Sequence, residues 1–248
     1  MLRILLTNDD GVDAPGILAL EESLRQHTEV ECWVVAPDSQ RSACSHSMSL
    51  GTPVTVEQRG VRHYAHGGVV ADGVYWALVH LMAAQPPHLV VSGINRGANL
   101  AEDVIYSGTV AGAREAALRN VHGLAVSLVD GDDFSLAAKS AAEVAVSLAR
   151  NSETAPLLLN LNYPVGEFSG PYFCRLGTKP YEPLVRCVSP AKKEKSYLLG
   201  GPPVANIPRE PGTDVALIDE GKASITPLLI NQTAEQSLTK KAFSFLDK

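Results

Sequence analysis

A chain of 248 residues with 45% hydrophobic content is long enough to bury one large core, and its formal charge of −6 excludes a general electrostatic grip on nucleic-acid polymers. A small charged substrate, with a cation to reverse the sign locally, suits that balance better. No apolar run approaches the ~20 residues of a membrane-spanning helix, and the amino terminus lacks the basic, apolar and small-residue regions of a secretion signal, so the expected compartment is the cytoplasm.

Residues 3–7 read as a short buried strand that stops at Asn8-Asp9-Asp10-Gly11. A helix entered through Pro15 follows, with Ile17, Leu18, Leu20 and Leu24 at helical spacing, and ends near His27. Residues 30–36 form a second buried strand, cut off by Pro37. Strand, helix and strand in this order make the βαβ unit of a parallel sheet.

Residues 37–50 are rich in hydroxyls and poor in core residues, and are expected to form a loop at the carboxyl end of the second strand. The spacing then predicts a hairpin of residues 52–56 and 61–65 around Arg59-Gly60, and a helix over 72–84. Residues 88–92 are a third parallel strand that runs into the polar, glycine-bearing loop 93–99. Residues 103–110 lead into an alanine-rich helix reaching about Asn120. A strand at 123–128, a helix at 134–150 and a strand at 156–161 follow.

Beyond Pro164, proline and glycine become frequent and apolar runs shorten. The expected organisation is a core over residues 1–165 and an extension over 166–248. Two short strands, 184–189 and 196–199, flank the charged tip Lys192-Lys193-Glu194-Lys195. They read as an arm at about 182–200 that meets a partner subunit, or as a surface hairpin. A short helix at 213–220, a strand at 223–226 and a terminal helix or loosely docked tail at 235–245 complete the chain. The four cysteines are scattered, without zinc or redox spacing, and are expected to be reduced thiols.

Open α/β sheets bind ligands outside the carboxyl ends of their strands, and three strands here end in polar loops on one edge: Asp9-Asp10, the Ser42 loop and Asn95. Two adjacent carboxylates repel unless solvated, protonated or holding a cation. Together with a hydroxyl and an amide oxygen they are hard donors that suit Mg²⁺ or Mn²⁺ and suit zinc poorly. Alone, Asn-Asp-Asp-Gly is also ordinary turn chemistry. Ser107-Gly108-Thr109 at a helix start offers amides, hydroxyls and a favourable dipole to a phosphate; alone, it is a helix cap. Arg41 and Arg96 are either charge-balancing groups or surface arginines, and His46 is a loop or substrate-contacting residue rather than a base.

Ile4-Leu5-Leu6-Thr7-Asn8-Asp9-Asp10-Gly11-Val12 with Ala14-Pro15-Gly16-Ile17, Val34-Val35-Ala36-Pro37-Asp38 with Arg41-Ser42, Val91-Ser92-Gly93-Ile94-Asn95 with Gly97 and Asn99, and residues 103–110 together resemble the SurE family of metal-dependent nucleoside 5′/3′-monophosphate phosphatases. Asn160-Leu161-Asn162 and Gly212-Thr213-Asp214 extend the resemblance to nearly the whole chain. It implies a Rossmann-like three-layer parallel-sheet α/β core with a carboxyl-terminal β-hairpin arm exchanged within a homodimer, sometimes paired into a tetramer. It further implies hydrolysis of nucleoside monophosphates, with trimming of short polyphosphate by some members, and one Mg²⁺ or Mn²⁺ per subunit. Asp9, Asp10, Ser42 and Asn95 fall on the metal ligands, with Asp9 and Asp10 as the catalytic pair. Asn8, Asn99, Ser107, Gly108 and Thr109 fall around the phosphate and substrate. The chain departs from the family at residues 68–73, which read Gly-Val-Val-Ala-Asp-Gly for Gly-Thr-Pro-Thr-Asp-Cys, and in the arm at Ser196-Tyr197-Leu198-Leu199. The same pocket on a nucleotide-sensing module, or on a hydrolase of other esters, remains the alternative until turnover is measured.

Overall fold

The computed structural model describes residues 1–151, 155–188 and 194–233. The predicted tail at 235–245 and the centre of the charged arm tip lie outside the described residues.

The strand-forming segments up to Tyr163 become the parallel strands β1 (Leu2–Thr7), β2 (Val30–Pro37), β4 (His63–His66), β5 (Leu89–Arg96), β6 (His122–Leu128) and β7 (Leu158–Tyr163). An antiparallel strand, β3 (Val56–Gly60), pairs with β4 at one edge; β8 (Ser169–Phe173) and β11 (Lys222–Pro227) close the other. The order is β3-β4-β2-β1-β5-β6-β7-β11-β8. The chain therefore reverses direction across the sheet between β1 and β5, and a crevice opens between their carboxyl ends.

Helices cover both faces because the strands are apolar on both. Ile4, Leu6, Val34, Val91 and Leu124 pack against α1 (Pro15–Arg25) and the alanine-rich face of α5 (Ser135–Ala149). Leu5, Val35 and Val90 point the other way, toward α2 (Val70–Trp76), the π-helical turn Ala77–Leu81 and α4 (Gly108–Leu118). This period-2 alternation makes the three layers of the α/β fold.

The structure refines the sequence reading in several places. The hairpin lies a few residues later than expected, and β4 joins β2 in parallel. The helix expected at 72–84 starts at Val70 and loosens into the π turn. The segment entering the alanine-rich helix breaks at Ser107, whose extended backbone separates α3 (Asp103–Tyr106) from α4. The polar loop 93–99 is partly strand: β5 resumes after a register shift between Ser92 and Asn95 and runs to Arg96. Beyond residue 166, β8 and β11 add to the main sheet, and α6 (Asp214–Asp219) packs against β11. β9 (Val185–Cys187) and β10 (Tyr197–Leu199) form a separate antiparallel ribbon. Backbone bonds from Val188 to Ser196 and from Val204 to Pro180 bracket it. All four cysteines are free and partly buried.

His66, at the end of β4, is 2% exposed, and its Nδ1 accepts the Gly68 N–H at 3.2 Å. Nε2 therefore carries the proton, against Gly73. Burial lowers its pKa to about 4, a shift deepened by Arg41 and opposed by Asp72 and Asp38. The unfolded chain binds this proton near pH 6.5 and the folded chain does not, so the contribution to stability is lost as pH falls from about 6.5 to about 4. Urea unfolding at pH 7 and pH 4.5 is expected to show a smaller acid loss in His66→Gln than in wild type, by up to about 3 kcal/mol. Equal losses would contradict the buried neutral histidine.

Candidate active site

The crevice between β1 and β5 gathers residues from four segments. β1 ends at Thr7, and Asn8 turns the chain by closing both ends of its amide on Gly11: Nδ2 donates to the carbonyl and Oδ1 accepts the N–H. Asn8 thus shapes the acidic turn with its own side chain already engaged. The turn delivers Asp9, 5% exposed, into the crevice and Asp10 to its partly exposed rim.

Thr109 Oγ1 donates to Asp9 Oδ1 at 2.6 Å. A Cβ on Gly108 would lie 2.9 Å from Asp9 Oδ2, so only glycine lets the carboxylate sit this close to the first turn of α4. Burial raises the pKa of Asp9 to about 6; the Thr109 hydroxyl pulls it down, and the charge of Asp10 pushes it up again. Asp10 Oδ2 accepts the Arg96 N–H at 3.2 Å.

Ser42 lies on the loop after β2, exposed, directly after Arg41, whose backbone N–H donates to the Asp9 carbonyl at 2.7 Å. Asn95, near the end of β5, donates from Nδ2 to the Gly97 carbonyl at 2.8 Å, which fixes the orientation of its amide. The structure thus brings Asp9, Asp10, Ser42 and Asn95 to one sheet edge.

The expected phosphate residues divide. Gly108 and Thr109 stand at the start of α4 beside Asp9. Ser107 caps that helix by accepting the Val110 N–H at 3.0 Å. Asn99 sits deeper: its Nδ2 donates to Ser127 Oγ, its N–H to Asn162 Oδ1, and its carbonyl accepts from Asn160 and Asn162. It braces the loop between β5 and α3 through its backbone groups and Nδ2. The two arginines are partnered too, Arg96 with Asp132 at 2.9 Å and Arg41 with Asp38 at 3.4 Å.

Among the described residues, no lysine, arginine or histidine side chain pairs with Asp9 or Asp10, and no cluster of three or more histidine, cysteine or acidic residues forms. The buried Asp9 carboxylate thus stands beside a second one, with the neutral Thr109 hydroxyl and backbone groups as its other partners and no cationic side chain among the described residues to balance the pair. The donors fit a hard divalent ion, which takes one or two carboxylates and completes its shell with neutral oxygens and water.

Several supporting residues went unassigned in the sequence. Asp72 accepts the Ser49 N–H and hydroxyl, each at 2.8 Å. Asp214 accepts the N–H groups of Ala101 and Gly177. Glu115, 1% exposed, bonds His46. The two asparagines alternating in the apolar strand β7 and the Gly212-Thr213-Asp214 stretch were the legible signals; Glu115 carried none.

The chain matches the family model described as "Survival protein SurE" over residues 4–183. It is 41% identical to the 5′-nucleotidase SurE of Anaeromyxobacter sp. (strain Fw109-5), covering 96% of this chain and 93% of that one. It is also 41% identical to the 5′-nucleotidase SurE of Aeromonas hydrophila subsp. hydrophila, covering 96% of each. The crystal structure of the SurE protein from Aquifex aeolicus superposes with a TM-score of 0.85 at 30% identity, over 99% of this chain and 100% of that one.

Proposed function

The chain belongs to the survival protein SurE family, and from that premise we propose that it is a nucleotidase that hydrolyses nucleoside 5′- and 3′-monophosphates with one Mg²⁺ or Mn²⁺ per subunit. Short polyphosphate is included as a secondary substrate. The observation that carries the reading is the buried Asp9 beside Asp10, without a cationic side-chain partner, at the amino terminus of α4.

Asp9, Asp10, Ser42 and Asn95 would hold the ion. When bound, such an ion draws charge from a phosphate oxygen and supplies water of lowered pKa. The chain's own part is geometric and electrostatic. Thr109 fixes the rotamer of Asp9, and burial keeps bulk water from competing for it. The amino-terminal end of α4 favours an anion at the same place, because its first amides and its dipole point there. Preorganised positive potential of this kind stabilises charge as it develops on a transferring phosphoryl group.

A panel of nucleoside 5′- and 3′-monophosphates, tripolyphosphate and carboxylic esters tests the reaction class. Phosphate release from the monophosphates, with the esters untouched, is expected. Tight binding of a monophosphate without release would favour a sensing module, and turnover of the esters alone would favour the other hydrolase.

The ribbon of β9 and β10 is proposed to seat on a second copy of the chain. Leu184, Val185, Val188, Leu198 and Leu199 are all about half exposed or more, a density of apolar side chains that a monomer rarely leaves in water. Light scattering is expected to give a dimer or tetramer that Val185→Asp with Leu199→Asp reduces to a monomer. A wild-type monomer at micromolar concentration would contradict the assembly. No helix among the described residues is long and apolar enough to cross a membrane.

A further inference from the structure

The loop that carries Ser42 has almost no core of its own. Its residues 38–47 are mostly hydroxyl, amide or charged side chains, and Ala43 and Ser45 adopt left-handed backbone at φ 57° and 53°. A segment of this composition does not hold one conformation by burial, so external anchors must fix it.

Three sets of anchors do so. The Arg41 N–H bonds the Asp9 carbonyl at the near end. Asp72 grips Ser49 at the far end, through the N–H and the hydroxyl. Between them, Ser45 donates from its N–H to the Tyr106 carbonyl at 3.0 Å and from its hydroxyl to the Ile105 carbonyl at 2.7 Å. One residue on, His46 Nε2 meets Glu115 Oε2 at 3.0 Å.

Glu115 is the unusual member. It is 1% exposed on a helix whose neighbouring buried positions, Ala113, Ala116 and Ala117, are alanine. Burying a carboxylate is costly unless both oxygens are satisfied. Arg119, one turn on, donates to Oε1 at 2.9 Å, and His46 serves Oε2. Burial opposes ionisation of Glu115, but the bonds from His46 and Arg119 outweigh it and hold the carboxyl below its ordinary range. The ionised acceptor requires that His46 Nε2 donate.

The same helix holds Asp9 through Thr109, six residues earlier. At 1.5 Å per residue, α4 spaces these two grips by about 9 Å along one rigid axis. We propose that Glu115 and His46 are positioning residues: they latch the loop to α4 so that Ser42 stands at a fixed distance from Asp9, which the same helix fixes at its first turn. The proposal rests on Ser42 being a donor to the divalent ion.

The test needs no turnover. Wild type, His46→Ala, His46→Gln and Glu115→Gln are stripped of metal; amide hydrogen exchange is followed at residues 42–48, and Mn²⁺ affinity is measured by calorimetry. Loss of a charge-assisted bond is expected to speed exchange at the Ser45 amide and to weaken Mn²⁺ binding, each roughly tenfold to a hundredfold, in His46→Ala and Glu115→Gln. The His46→Gln variant places a side-chain amide N–H near the old Nε2 and should restore both to within about threefold of wild type. His46 is on the loop, so His46→Ala is expected to fold even if Glu115→Gln does not. Unchanged exchange in His46→Ala overturns the latch. Faster exchange with unchanged Mn²⁺ affinity overturns the positioning role, as does a His46→Gln variant as impaired as His46→Ala. A wild-type protein that binds no Mn²⁺ overturns the metal-dependent reading and this proposal with it; wild-type binding matched by His46→Ala overturns the proposal alone.

Discussion

Replacing Asp9 with asparagine is expected to lower phosphate release from a nucleoside monophosphate about a thousandfold, equivalent to about 4 kcal/mol of transition-state stabilisation, while the metal-free protein melts no lower than wild type. The two effects have separate causes. Asparagine keeps an oxygen to accept the Thr109 hydroxyl, so the contact at the start of α4 survives. It removes a buried negative charge that burial and Asp10 both disfavour, so the folded state loses nothing electrostatically. What it takes away is the more deeply held of the two charges offered to a divalent ion. Initial rates with saturating Mn²⁺ and melting curves in chelator measure the two arms. Full activity in Asp9→Asn would remove Asp9 from the site, and a large drop in melting temperature would make its role structural.

Gly93→Ala is expected to cost at least about 4 kcal/mol of stability, or to prevent the protein from accumulating folded. Gly93 has φ of +143° at the bulge that redirects β5 toward Asn95, and an added Cβ would lie 2.3 Å from the Val126 carbonyl oxygen. That oxygen belongs to the backbone of the neighbouring strand and cannot rotate aside. Gly97→Ala is the matched control, with φ of +124° but no atom nearer than 3.8 Å to the added carbon. It carries backbone strain without the clash and is expected to cost only about 1–2 kcal/mol. Urea midpoints of the two variants compare them directly. Equal losses would mean that strain alone decides, and that the close approach of β5 to β6 is unimportant.

The framework was legible in the sequence where one physical signal dominated. Apolar strand runs such as residues 30–36, cut off by Pro37, and helical spacing such as Ile17, Leu20 and Leu24 returned as β2 and α1. The membership of the SurE family was legible in the acidic turn, the Ser42 segment and the Gly93-Ile94-Asn95 stretch. Less legible was anything set by tertiary contact. β8, with its exposed side chains and a proline, has no strand-like alternation and is defined by pairing with β11. The cap at Ser107 was legible and returns as its bond from Val110, whereas the short helix Asp103–Tyr106 before it was not.

For the candidate site, the sequence pointed to the carboxyl edge of the sheet, where the fold does gather Asp9, Asp10, Ser42 and Asn95, but could not divide labour among its polar residues. By the resemblance Asn8 and Asn99 fall around the substrate; in the fold the Asn8 amide closes on Gly11, the Asn99 Nδ2 donates to Ser127, and the Asn99 backbone bonds Asn160 and Asn162. Thr109 falls in the phosphate pocket by the resemblance, and what the sequence did not show is that its hydroxyl also bonds Asp9. A hydrogen bond between residues one hundred positions apart leaves no trace in local spacing.

The central claim is that the acidic pair acts through a divalent cation on a phosphate monoester. Its most direct test is phosphate release from one nucleoside monophosphate by the wild-type protein stripped of metal, before and after Mn²⁺ is restored. The account predicts background rates in chelator and full recovery at about one Mn²⁺ per subunit. Release that continues undiminished in chelator would contradict it.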